Sequence, residues 1–194
     1  CADLYNANLY NANLTGADLS NATLSFAILI DADLNHADLP FAWLEGANLE
    51  SASLEGALLG NTQLIGANLK HVSSGGILGI PLSLPTDWIL ERGYLIGHSA
   101  YLQEANLNNA DLEDADLTNT DLTGAQLWSV NLTNANLTTA NLKNANLTNA
   151  NLTGALFNNT TIFSTGGVGA NLSNVNAAQA ANFTNVDLID RDFT

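Results

Sequence analysis

The chain has 194 residues, 46% of them apolar, and its charge is lopsided: four Lys and Arg against nineteen Asp and Glu, a net of -15. Such a balance repels nucleic-acid backbones and anionic lipid, and no run approaches the roughly 18 apolar residues that span a bilayer. Neither nucleic acid nor membrane is therefore an expected partner, and a single cysteine, Cys1, excludes a disulfide within the chain.

The length suits one domain or one array. A chain with no Met reads as lacking an upstream segment, so Cys1 reads as a truncation boundary rather than a lipid-modified terminus. A soluble protein is expected, either of the cytoplasm or, after removal of such a segment, of a periplasm or thylakoid lumen.

Residues 1–70 form the first repeat block. Leu falls on every fifth position from Leu4 to Leu69, fourteen times without a miss, with Ala two residues earlier in nearly every repeat and usually Asn or Asp between. The unit is A-(N/D)-L-x-x. At about 100° per residue, five steps overshoot a helical turn by roughly 140°, so these leucines would spiral around a helix. An unbroken strand fails as well, because an odd period sends successive leucines to opposite faces. A three-residue extended edge with Ala and Leu inward, followed by a two-residue corner, accommodates both. Repetition closes a polygon, and stacked polygons make an all-β solenoid with a Leu-filled interior.

Residues 71–99 interrupt the beat. Leu69 to Leu102 is 33 residues, which five does not divide, and Gly75, Gly76, Gly79, Pro81 and Pro85 break regular structure. Ile77, Leu78, Ile80, Leu82 and Leu84 make the stretch too apolar for a disordered linker. It reads as a non-repeat loop that leaves the solenoid, folds against it and re-enters near Gly93–Gly97.

Residues 100–162 form the second block, with Phe157 and Ile162 the two departures from Leu among its thirteen centres. Thr62, Thr120, Val130 and Thr160 replace the small residue. The stretch "ANLTTANLKNANLTNANLTGA", Ala135–Ala155, resembles the pentapeptide-repeat proteins. That resemblance implies a right-handed quadrilateral β-helix with four repeats per coil, hence about seven coils and, at about 4.8 Å each, a rod of roughly 30–35 Å. Residues twenty apart then share a column: Leu14, Leu34 and Leu54 inside, and Asp18, Asp38 and Leu58, or Asn106, Gln126 and Asn146, outside. Asn columns can hydrogen-bond along the stack. The insertion resembles an element common in cyanobacterial members, matching at Gly75, Gly76, Leu84, Pro85, Trp88, Gly93, Tyr94, Leu95, Ile96 and Gly97 and departing at His98-Ser99; it brings no known chemistry. Residues 163–194 read as degenerate repeats and a cap that completes one continuous domain, with Phe183, Leu188 and Phe193 on a third register.

No catalytic constellation, cofactor motif or metal-ligand spacing is present, so an enzyme is not expected. His36, His71 and His98 are isolated. The acidic run Asp111–Asp121 lacks the Gly and terminal Glu of an EF-hand loop, and its carboxylates point from different faces. The candidate partner surface is apolar: Phe26 and Ile28 flank one corner, Phe41 and Trp43 the adjacent corner one coil later, with Trp88 and Tyr94 in the insertion. Exposed patches of this kind mark partner surfaces; the competing expectation is that the folded-back insertion covers them.

The composition thus points to a non-catalytic scaffold, a monomer presenting an acidic surface to an unidentified protein partner. The alternative is a DNA mimic acting on a type II topoisomerase, as in some acidic pentapeptide-repeat proteins. Those relatives resemble one another in frequent Phe at the core centre and a C-terminal dimerisation helix, whereas the centres here are Leu.

Overall fold

The computed structural model describes residues 2–157. The chain forms two compact units, one ending at Leu95 and one beginning at Ile96. Each is a β-helix of four-sided coils in which parallel bridges join residues twenty apart.

In the first unit four outer columns define four faces. The first runs Asp3, Thr23, Trp43, Gln63, Ser83; the second Asn8, Ile28, Asn48, Asn68. The third runs Asn13, Asp33, Ser53, Ser73, and the fourth Asp18, Asp38, Leu58, Leu78. The second unit repeats the plan with Tyr101, Asp121, Asn141 and Asn106, Gln126, Asn146 on two faces. Asp111, Asn131, Asn151 and Asp116, Asn136, Leu156 form the other two. The twenty-residue columns read from the sequence are therefore present in both units.

The period of five follows from where the amides go. In Ala32–His36, Ala32 N donates to Leu29 O (3.1 Å) and closes the corner. Asp33 N reaches back one coil to Ala12 O (2.9 Å), while Leu34 N reaches forward to Ser53 O (2.8 Å) and His36 N to Glu55 O (2.7 Å). The remaining amide, Asn35 N, donates to its own repeat's Asp33 Oδ1 (3.0 Å). All five donors are satisfied, as buried or edge-pointing amides must be. The Asn or Asp preference at the outer position has this physical origin: the side chain supplies the one acceptor the stacked backbone lacks. The same carboxamides then bond along the column, Asn68 Nδ2 to Asn48 Oδ1 and Asn131 Nδ2 to Asp111 Oδ1, both 2.9 Å.

At Asp18, hydrogen bonds from the Ser20 hydroxyl and then the Ser20 amide hold the carboxyl below its ordinary value. A depressed carboxylate pKa contributes stability above the usual carboxylate range. That contribution is lost as pH falls through the lowered value.

Each corner ends on a residue with positive φ, from 53° at Asn11 to 72° at Gly154. A bonded four-residue turn with a left-handed third residue is type II, which favours Gly and Asn there. Inside, Ala and Leu alternate along each edge, and from Ala22 through Leu59 every one of them is buried. Each enclosed Leu gains about 1.5–3 kcal/mol from leaving water. Thr fits the small position because its hydroxyl finds a carbonyl: Thr62 Oγ1 donates to Leu39 O and Thr120 Oγ1 to Leu117 O, each 2.7 Å.

The coil runs further into the interruption than its composition implies. Bridges continue to Ser73, Leu78 and Ser83, and Val72 and Ile77 occupy the inward small position. The departure expected from residue 71 is corrected accordingly: coil-to-coil pairing persists to Ser83, although Gly79 stands in place of an inward Leu. Nor do the apolar side chains of the interruption fold against the solenoid at Leu78, Ile80 and Leu82, which are 60%, 81% and 65% exposed. Beyond them a short hairpin follows, β1 (Ile89–Glu91) and β2 (Tyr94–Ile96). Its two-residue loop, Arg92-Gly93, has positive φ at both positions, the type I′ geometry that matches strand twist. Leu95 N donates to Ser74 Oγ (2.9 Å) and Ile77 N to Gly93 O (3.0 Å), tying the hairpin to the last coil of its unit. A side chain at Gly93 would meet the Gly76 and Ile77 amides at 3.2 Å.

The expected cap at 163–194, with Phe183, Leu188 and Phe193, lies outside the described residues, as do Thr160 and Ile162. Among the described residues no helix is long and apolar enough to cross a membrane.

Leu34 is fully buried while Leu14, one coil away in the same column, is half-buried. Leu34→Ala is expected to lower the unfolding free energy by about 2–5 kcal/mol, and Leu14→Ala by less than half as much. Urea denaturation of the two variants checks both values.

Candidate partner-binding surface

The polar surface conforms to the repeat almost everywhere, which makes the departures conspicuous. On the first unit the outer position carries Thr23, Ile28 and Trp43 in place of Asn or Asp, so Ile28 and Trp43 bring no amide or carboxylate oxygen to their corners. The left-handed corner position carries Phe26 (φ 60°) and Phe41 (φ 59°) where Gly or Asn is favoured. A left-handed conformation costs an L-residue about 1–2 kcal/mol, and for a bulky side chain it is an outlier. Departures of both kinds occur elsewhere too, with Leu58, Leu78 and Tyr101 at the outer position and His36, His71 and Thr139 at the left-handed corner; within residues 23–43 they include two Phe, a Trp and an Ile.

These side chains lie open to solvent. Phe26, Ile28, Phe41 and Trp43 are between 39% and 54% exposed. The insertion does not cover them. Trp43 stands on the first face, and Phe41 opens that face from the corner two residues before it. Phe26 belongs to the opposite corner one coil earlier, but its ring climbs onto Trp43's own coil: a Cβ added to Gly46 would fall 2.6 Å from Phe26 Cε1. Gly46 thus supplies both the positive φ and the space for the ring. Tyr5, below, meets Phe26 edge-on with centroids 5.9 Å apart, a favoured aromatic geometry.

The sequence-predicted set is brought together in part. Phe26, Phe41 and Trp43 border one face, and Ile28 lies on the second. Trp88 is buried, so it anchors the segment before the hairpin instead of presenting a surface. Tyr94 is half-buried in β2, its ring in the space a side chain on Gly75 would enter. Sequence reasoning missed Tyr5, Ile65 and the Leu78–Ile80–Leu82 run, all exposed. Ile80 follows Phe41 and Asn61 up one corner, through Phe41 N to Gly60 O and Asn61 N to Ile80 O. The available signal was register: counting in twenties from Leu58 places Leu78 outward.

Carboxylates frame the apolar face. Glu45 follows Trp43 by two residues, and the first face with its two corners (residues 3–6, 20–26, 40–46, 60–66 and 80–85) contains Asp3 and Glu45 but no Lys, Arg or His. Elsewhere, His71 Nδ1 lies 3.9 Å from Glu50 Oε1 on the exposed surface. Asp111, Asp116 and Asp121 stand in three different columns. Among the described residues no three His, Cys, Asp or Glu side chains are grouped to hold a metal ion.

Comparison with known proteins agrees with this architecture. The family described as pentapeptide repeats matches in eight copies, over residues 2–39, 42–73, 98–127 and 120–159. Comparison with curated proteins finds no match. Among solved structures, the chain is similar to alr5209, a pentapeptide repeat protein from Nostoc PCC 7120, at 40% identity over 46% of this chain and 74% of that one, TM-score 0.44. It is also similar to HetL, a pentapeptide repeat protein involved in heterocyst differentiation regulation from the same strain, at 29% identity over 90% and 76%, TM-score 0.25. A third is trypsin-treated QnrB1, a plasmid-mediated fluoroquinolone resistance protein, at 17% identity over 96% and 76%, TM-score 0.30.

If Phe41 is held in a strained conformation for its surface chemistry, removing it should relieve the fold. Phe41→Asn is expected to raise the unfolding free energy by about 0.5–1 kcal/mol. Thermal and urea melts check the sign, and a loss of stability would make Phe41 a structural residue.

Proposed function

The chain belongs to the pentapeptide-repeat family, whose repeats wind as right-handed quadrilateral β-helices, and on that premise we propose that it is a non-catalytic interaction scaffold. Its working surface is the first face of the first unit and the corners beside it, with Phe26, Phe41 and Trp43 at the centre and Ile28, Tyr5 and the Leu78–Ile80–Leu82 run around them. The partner is a protein.

One observation carries this reading. Four side chains that break the local rules of the repeat, Phe26, Ile28, Phe41 and Trp43, also leave large apolar surface in water within two successive coils. Local rules are broken at functional sites more than elsewhere, and exposed patches rimmed by polar groups are typical of interaction surfaces. The backbone beneath this surface is held coil to coil by hydrogen bonds, so a partner need not order it on binding.

The second reading, a DNA mimic acting on a type II topoisomerase, is favoured by the net charge of -15. It makes no use of the aromatic face, because a surrogate for phosphate backbone needs carboxylates and not indole. Nor does the Leu-centred interior share the Phe-centred pattern of those relatives.

Affinity capture from a native extract, using the full chain and the double variant Phe41→Asn/Trp43→Gln, separates the readings. A partner retained by the full chain and by Trp128→Gln, but lost from the double variant, is the expected result. Equal capture by all three would overturn the assignment of the surface. In a gyrase supercoiling assay no inhibition is expected at micromolar protein; inhibition there would favour the mimic.

A further inference from the structure

We propose that the first face of the first unit recognises a cationic side chain, an arginine or lysine, carried on an apolar segment of a protein partner. The inference rests on the reading of this face as the partner surface and adds the chemistry of what it takes.

Three observations carry it. First, Trp43 is 50% exposed, and the two corners that bound its edge both carry an exposed aromatic residue, one of them from the coil below. Phe41 opens the face at one corner, and the Phe26 ring fills the place above Gly46 at the other. Aromatic faces attract cations through their quadrupoles, Trp most strongly, and the attraction grows when the site is shielded from water. Second, the only charges on this face and its corners are the carboxylates of Asp3 and Glu45, and Glu45 sits between Trp43 and the Gly46 corner. An incoming cation meets a counter-charge and no competing Lys or Arg; those of the first unit are Lys70, on the corner between the second and third faces, and Arg92, in the hairpin loop. Third, Leu78, Ile80 and Leu82 are exposed two coils further along the stack, beyond Asn61 and Gln63, with Leu78 on the adjoining fourth face, giving the flanks of such a segment apolar ground. A purely apolar partner would leave Glu45 desolvated without a counter-ion, which is costly; a cation among apolar residues satisfies both halves of the surface.

Three capped peptides serve as probes: leucine alternating with arginine, with citrulline as the neutral isostere of arginine, and with glutamate. The readout is the indole N–H resonance of Trp43 in the 15N-labelled full chain, assigned by its loss in Trp43→Leu. The arginine peptide is expected to shift that resonance and to bind about tenfold tighter than the citrulline peptide. The glutamate peptide should not bind. With affinities of the variants measured by titration calorimetry, Trp43→Leu, and separately Glu45→Gln, should remove most of the arginine preference, while Trp128→Leu should leave it intact. An unchanged Trp88 resonance reports that the variants are folded.

Equal binding of the arginine and citrulline peptides would overturn the inference while leaving a purely apolar partner surface standing. Arginine binding that survives Trp43→Leu would also overturn it, by showing attraction to the acidic chain as a whole. So would the absence of any binding below about 1 mM. Failure of the surface assignment itself shows elsewhere, as partner capture indifferent to Phe41→Asn/Trp43→Gln.

Discussion

A four-sided coil can rest on its copy only if each amide directed along the stacking axis meets a carbonyl in the neighbouring coil. The twenty-residue register meets that demand for three of the five amides in a repeat, and the corner closes a fourth. The fifth needs a side-chain oxygen. Much of what is distinctive in the composition descends from that single unmet donor: the abundance of Asn and Asp, their place between Ala and Leu, and their secondary role as rungs between coils. Hydrophobic burial supplies the larger share of the free energy, but it would accept many geometries. The hydrogen-bond accounting accepts one.

The same constraint explains why function sits where it does. With the interior filled by Leu and Ala, chemistry can be expressed on the outer position and the corners alone, and most of those are committed to satisfying the backbone. Where Trp43 and Ile28 displace the Asn or Asp, and Phe26 and Phe41 occupy a conformation suited to Gly, the fold forgoes local stability over a small area. The bridges above and below keep the twenty-residue spacing there, so the register is undisturbed.

The interior was legible from the residues because a period of five has few geometric solutions. The outward direction of Phe26, Ile28, Phe41 and Trp43 was legible for the same reason. The interruption was harder. Val72 and Ile77 do not look like Ala, yet they occupy its position, so the coil continues where composition suggests that it stops. Glycines and prolines near Gly79 and Pro81 signalled a break correctly but not how the apolar residues around them would face. Trp88 and Tyr94 read as alike in sequence and differ in burial, because the hairpin that separates them turns on Arg92-Gly93 and packs against Gly75 and Gly76. That packing depends on backbone approach, which side-chain pattern does not encode.

The vertical pairing of Phe26 with Gly46 reaches beyond this one corner. His36 stands in the same relation to Gly56, and in the second unit Glu104 to Gly124 and Asn134 to Gly154. At these four bends the side chain below takes the space that a Cβ one storey up would need. Sequence choice at such bends is therefore coupled at a separation of twenty: replacing Gly46, Gly56, Gly124 or Gly154 calls for a smaller or displaced side chain in the coil below.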